Sequence, residues 1–382
     1  MFHHDLTHTG YSTSTAPNTN QTLWTYTTGG PVLSSPAVAD GMVFIGSWDN
    51  KTYALNETSG AKIWSYTTGY WVFSSPAVAD GTVFVGSTDN KTYALNETTG
   101  ALKWSFTTGS GVFSSPAVAD GKVFIGSVDN KTYALNETTG AKIWSYTTGS
   151  PIVSSPAVAD GIVFIGSTDN KTYALNETSG AKIWNYTTGG VVASSPAVAD
   201  GIVFVGSVDN KVYALNETTG TQIWNYTTGS GVVSSPAVAD GIVFIGSWDH
   251  NVYALNETSG AKIWNYTTGG VVYWSSPAVA YGIVYVGSYD NNVYALNATN
   301  GALIWSYATD AQVDSSPAVA GGKVFVGSYD GEVYAFGQIS SSVSARGLPR
   351  IIYWIDIAVI IIAVVAIGVF AIKMKKTRTP KL

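Results

Sequence analysis

The sequence predicts an all-β, eight-bladed β-propeller with four-stranded antiparallel blades, followed by one C-terminal transmembrane helix. Three observations carry that reading. Ser-Ser-Pro-Ala-Val begins at Ser34, Ser74, Ser114, Ser154, Ser194, Ser234, Ser275 and Ser315, a period of about forty residues. Tryptophans follow the same period at Trp24, Trp64, Trp104, Trp144, Trp184, Trp224, Trp264 and Trp305. Residues 351–372 form an almost unbroken apolar run, long enough to cross a bilayer as a helix.

One repeat reads as four strands. Residues 34–39 are the first, and Asp40-Gly41 is a two-residue hairpin turn of the favoured kind. Residues 42–47 are mostly apolar, as suits a strand covered on both faces. The turn opening at Trp48 leads to a third strand at 52–56. Glu57-Thr58-Ser59-Gly60 turns the chain again, with glycine supplying a positive φ. Residues 61–67 are the fourth strand, where Lys62, Trp64 and Tyr66 alternate with Ile63 and Ser65. Pro36 lacks the N–H that a central strand needs, so its strand belongs at a sheet edge, as the innermost strand of a blade does. The eighth repeat lacks its tryptophan strand. Thr22-Leu23-Trp24-Thr25-Tyr26-Thr27 matches that strand, so the N-terminal part of the chain is expected to close blade eight.

The segment Ala54-Leu55-Asn56-Glu57-Thr58-Ser59-Gly60-Ala61-Lys62-Ile63-Trp64 resembles the tryptophan-docking motif of pyrroloquinoline-quinone (PQQ)-type, quinoprotein-like repeats, Ala-x-Asp-x-x-Thr-Gly-x-x-x-Trp. The resemblance spans roughly residues 22–338. Asn56 stands where the motif has Asp, and Ser59, Ser179, Ser259 and Asn300 replace its Thr, each keeping a hydrogen-bonding side chain in the turn. Residues 2–12, with His8-Thr9-Gly10, resemble the entry segment of archaeal cell-surface proteins of this group. The resemblance implies a choice between PQQ- and calcium-dependent dehydrogenases and non-enzymatic scaffolds of the BamB type. Fold does not decide between them.

The residues favour binding over catalysis. The dehydrogenases of this group hold their cofactor against a disulfide of adjacent cysteines, and this chain has no cysteine. Nearly every polar residue recurs in each blade, whereas a catalytic site needs a few groups in unlike environments. No cofactor and no metal site are therefore expected. Net charge is −6, and only 12% of residues are charged. An acidic propeller argues against a nucleic-acid partner. Histidine is limited to His3, His4, His8 and His250; the first three with Asp5 match no reliable zinc spacing.

Variation between repeats concentrates in two loop sets that a propeller presents on one face. The aromatics there, Trp48, Tyr70, Trp71, Trp248, Tyr273, Trp274, Tyr289 and Tyr329, are the candidate binding residues, with drift at tolerant loop tips as the alternative. The recurring Asp49, Asp89, Asp129, Asp169, Asp209, Asp249, Asp290 and Asp330 read as turn residues rather than a cation ring. The periodic tryptophans read as packing between blades.

The domain reading is a leader at 1–21, the propeller at 22–338, a Ser-rich stalk at 339–350, the membrane helix at 351–372 and a basic tail at 373–382. Lys373, Lys375, Lys376, Arg378 and Lys381 follow the span, so the positive-inside rule places the tail in the cytoplasm and the propeller outside, at the cell membrane. The expected partner is a protein or glycan of the cell envelope. Residues 1–5 contain no apolar stretch, which places the expected start of an exported chain upstream of Met1. A tail-anchored protein with a cytosolic propeller is the alternative.

Overall fold

The computed structural model describes residues 7–338. The stalk, membrane helix and basic tail expected beyond residue 338 lie outside the described residues, as do His3, His4 and Asp5. Among the described residues no helix is long and apolar enough to cross a membrane.

Eight sheets, each built on four antiparallel blade strands, follow one another in chain order. Blade one comprises an inner strand Ala37–Ala39, then Met42–Gly46, Lys51–Asn56 and the outer strand Lys62–Thr67. Asp40 and Gly41 both take positive φ, as the tight turn between the first two strands requires. The two middle strands are buried on both faces because a neighbouring blade covers each side. The outer strand differs from strict alternation. Ala54 pairs with Trp64 but Leu55 pairs with Lys62, so Ile63 sits in a bulge and both Lys62 and Ile63 face outward.

The inner strand is shorter than expected, because Ser34 and Ser35 bond outside the ladder. Ser34 Oγ accepts from Gly46 N–H (3.0 Å). Ser35 N–H donates across the blade boundary to Ser75 Oγ, and the pattern continues through Ser115, Ser155, Ser195, Ser235, Ser276 and Ser316. Ser316 N–H then donates to Ser35 Oγ. The result is a closed belt of hydrogen bonds around the axis, each 2.8–3.0 Å long.

Farther out, each tryptophan docks on the next blade. Trp64 Nε1 donates to the Glu97 carbonyl (2.7 Å). Its ring lies against Gly100, where an added Cβ would meet Cδ2 at 2.7 Å, and the positive φ of 71° also favours glycine. In each turn the asparagine holds the shape: Asn56 Oδ1 accepts from Ser59 N–H and Oγ–H.

Blade eight is a composite, as expected. Thr22–Thr27 pairs with Glu332–Gly337 and completes the sheet of Ala318–Ala320 and Lys323–Gly327. The segment ahead of it does more than lead in. Thr7, Thr9 and Gly10 carbonyls accept from Val198, Val238 and Val279 N–H on successive inner strands. Tyr11–Ser12 then adds to the Ala278–Ala280 edge in parallel. Blade eight has no following turn to receive Trp305, and the Pro17 carbonyl takes that role, accepting from Trp305 Nε1 (3.4 Å) and Tyr285 Oη (2.7 Å).

Deleting residues 7–27 removes the Thr22–Thr27 strand, the segment bonded along the inner strands and the Trp305 partner together. The unfolding midpoint should fall by at least about 10 °C and the transition should broaden. A calorimetric scan that leaves both unchanged would contradict this closure.

Candidate functional site

The loops between second and third strands and the linkers between blades share one face, as Trp48 N–H bonding to the Pro31 carbonyl illustrates. The candidate aromatics form two groups there. Trp48 stacks on Trp71, with ring centroids 4.9 Å apart and planes 14° apart. Tyr70 joins Trp71, and Tyr329 meets Trp48 edge-on at 5.2 Å. Tyr329 is distant in sequence but belongs to this group because closure sets blade eight beside blade one. In the second group Trp248 stacks on Tyr273 at 5.2 Å, and Tyr273 also contacts Trp274 and Tyr289. Tyr70, Trp71 and Trp274 remain 47%, 36% and 39% exposed. The other rings are half-buried supports beneath them.

The eight turn aspartates are already engaged. Asp129 is typical: Oδ2 accepts from Gly109 N–H (2.7 Å) and Tyr133 Oη–H (2.6 Å), and Oδ1 accepts from Lys131 N–H (3.0 Å). The partner glycine lies in the linker entering that blade, so each carboxylate ties linker, turn and strand together. Burial, and then the bonded carboxylate, push the Tyr133 phenol well above its usual range. His250 holds the left-handed turn position that asparagine occupies in blades one to five and seven. His8 is buried against the Pro196 carbonyl, and burial pushes its imidazole down to about 3. It is therefore neutral, and no cluster of three or more metal-ligating side chains occurs among the described residues.

The residue before each Ser-Ser pair lines the mouth of the axial channel, a position at which the sequence reading singled out Trp274 alone. Leu33, Phe73, Phe113, Val153, Ala193, Val233, Trp274 and Asp314 surround a cavity of about 240 Å³ floored by the serine belt. Beneath the belt a second cavity, of about 220 Å³, shares Ser35 and Ser316 with the first and is lined partly by Gly10 and Ser12. Comparing that one column between repeats finds the outlier: seven positions are apolar and the eighth is Asp314. It is 3% exposed and its Oδ1 has no hydrogen-bond partner. Burial raises its pKa to about 6, against the opposing influence of Gln312 and Tyr289.

The opposite face carries carboxylate pairs across blade boundaries. Glu97 lies near Asp40, Glu217 near Asp160 and Glu257 near Asp200. Burial first, then the neighbouring charge, raises each glutamate's pKa. Lys122 and Lys323 relieve this crowding elsewhere by pairing with Glu177 (3.1 Å) and Glu57 (2.9 Å).

The family described as outer membrane protein assembly factor BamB matches residues 7–70, 106–190, 173–274 and 249–342. No curated protein matches the sequence significantly. Among solved structures, BamB from Moraxella catarrhalis is 20% identical, with a TM-score of 0.73 over 83% of this chain and 99% of that one. The computationally designed Ika8 protein is 18% identical, with a TM-score of 0.76 over 83% and 100%. A europium-containing methanol dehydrogenase is 14% identical, with a TM-score of 0.77 over 88% and 97%. At these identities the structural likeness speaks for the fold alone.

The raised carboxyl groups set the sign of a pH effect. Each is protonated more readily in the folded chain than in the unfolded one, so its stabilising contribution is present at low pH and lost as pH rises through the folded value. Buried His8, pushed down to about 3, acts in the opposite sense over the same range, so the carboxyl effect is read in a His8→Gln variant, whose thermal midpoint should be higher at about pH 5 than at about pH 7.5. A flat or opposite trend in buffered melts would show that these groups do not govern stability.

Proposed function

The chain belongs to the BamB family of PQQ-repeat propellers, and from that premise we propose that it is a non-catalytic binding module. Its loop face would present the two aromatic groups to a protein or glycan of the cell envelope, with residues 351–372 as the membrane anchor. The observation that carries the reading is the contrast between repeating blades and non-repeating loop tips. Strand cores, docking tryptophans and turn aspartates serve closure in every blade. Tyr70, Trp71 and Trp274 serve no such role and stay partly exposed. Rigid aromatic side chains of this kind supply contact area at low entropic cost.

The dehydrogenase reading of the same fold finds less support. PQQ is a tricarboxylate and is held best by cationic side chains. The channel mouth is lined by aliphatic, aromatic and serine residues and by one carboxylate, with neither lysine nor arginine among the lining residues. The adjacent-cysteine disulfide that the resemblance implies cannot form in a chain without cysteine. These residues do not fit the cofactor.

Affinity capture from native cell envelopes with residues 1–345 tests the proposal. Replacing Trp71 and Trp274 by alanine should reduce recovery of the partner at least about tenfold, with little change in thermal midpoint. Equal recovery by the double variant would remove these aromatics from the binding surface.

A further inference from the structure

We propose that the channel mouth is a binding site for an organic cation, a ligand with an apolar body and one protonated nitrogen that pairs with Asp314. This site adjoins the second aromatic group and shares Trp274 with it, but it rests on Asp314 and does not depend on that group's role.

The cavity above the serine belt is large enough for a small aromatic amine or an inserted lysine side chain, and most of its wall is apolar. Apolar walls favour an apolar occupant through area removed from water. A buried carboxylate in such a wall is costly unless it is paired. In the other seven blades this position has an apolar residue. Asp314 departs from that pattern, is 3% exposed, and leaves Oδ1 without a partner. Its contacts are modest. Gln312 Nε2 donates to Oδ2 at 3.5 Å, and the Tyr289 hydroxyl lies close enough to favour the charged form. The site therefore contains one carboxylate, met only by neutral donors and with no cationic partner, inside a mostly apolar enclosure.

That arrangement selects among ligand classes. Anions are repelled. A hard divalent metal needs six or more oxygen ligands, and one carboxylate does not supply them. An ammonium or guanidinium group requires only one charged partner, and Phe73 and Trp274 line the same cavity as aromatic neighbours for a cation.

The groups facing Asp314 are Tyr289, Gln312 and Tyr273. Burial raises both tyrosine phenols, so they stay neutral through the neutral pH range. Asp314 is then the group that titrates at the site, with a pKa of about 6 before any ligand binds.

The test uses the full chain in mild detergent and three probes of one shape: 2-phenylethylamine, 2-phenylethanol and phenylacetate. Calorimetric titration at about pH 7.5 should show the amine binding at least about tenfold more tightly than the alcohol, and phenylacetate not binding. Asp314→Asn should abolish the preference for the amine while leaving the alcohol unaffected. In the wild type, amine affinity should fall as pH drops below about 6 while alcohol affinity stays level. That titration also serves if the variant folds poorly. Nα-acetyl-lysine amide forms a further arm: binding tighter than that of 2-phenylethylamine identifies a partner's lysine as the source, and weaker binding identifies a free amine. Equal affinity for the three phenyl probes, no amine binding by the wild type, or an undiminished amine preference in Asp314→Asn would overturn the proposal.

Discussion

The hydrogen bond from each Ser-Ser pair to the next blade is the constraint on which the rest of the structure depends. Inner strands of three residues are too short to hold a blade in place alone. Their second serine donates its backbone N–H to the following blade and accepts another from the preceding one, until Ser316 returns the chain to Ser35. Each bond contributes only about 1 kcal/mol net. A closed ring nevertheless leaves no end from which to fray. Open solenoids, in which each repeat contacts only its neighbours, lack that protection. The tryptophan docking and the aspartate clamps repeat the same logic at larger radius, each joining one blade to the next.

Closure by repetition also explains where function is to be sought. A residue that serves the ring must recur in every blade, so recurrence marks a structural duty. Departures from recurrence are free of that duty. Trp71 departs at a loop tip, Trp274 where the loop face meets the channel mouth, and Asp314 at the channel mouth. The N-terminal segment is the exception, a departure that serves closure: it crosses the inner strands on the far side of the belt and gives Trp305 the carbonyl that an eighth turn would otherwise have supplied.

Much of this was legible in the sequence. The blade count, the composite eighth blade and the interblade tryptophans follow from periodicity, because one supersecondary unit is written eight times. The aromatics of the loop face were found by comparing repeats, although their grouping was not: Tyr329 joins Trp48 only through ring closure. The inner strand read too long because nothing in Ser34-Ser35 announces that its hydrogen bonds leave the ladder. Ile63 read as part of a regular alternation because a bulge leaves no mark in a pattern of apolar and polar residues. Asp314 was missed because the extra residue beside Trp274 shifts the repeat by one, and its column shows up only once all eight are superposed. The path of residues 7–17, along the inner strands and then out to Trp305, depends on backbone bonds that carry no side-chain signature.

Amide hydrogen exchange at the belt serines measures the central claim most directly. If the belt closes the ring, the N–H groups of Ser35, Ser75, Ser115, Ser155, Ser195, Ser235, Ser276 and Ser316 should exchange only through global opening, with one shared free energy. Graded protection, weakest at Ser316 and Ser35 beside the composite blade, would show blades opening one at a time and would contradict the account.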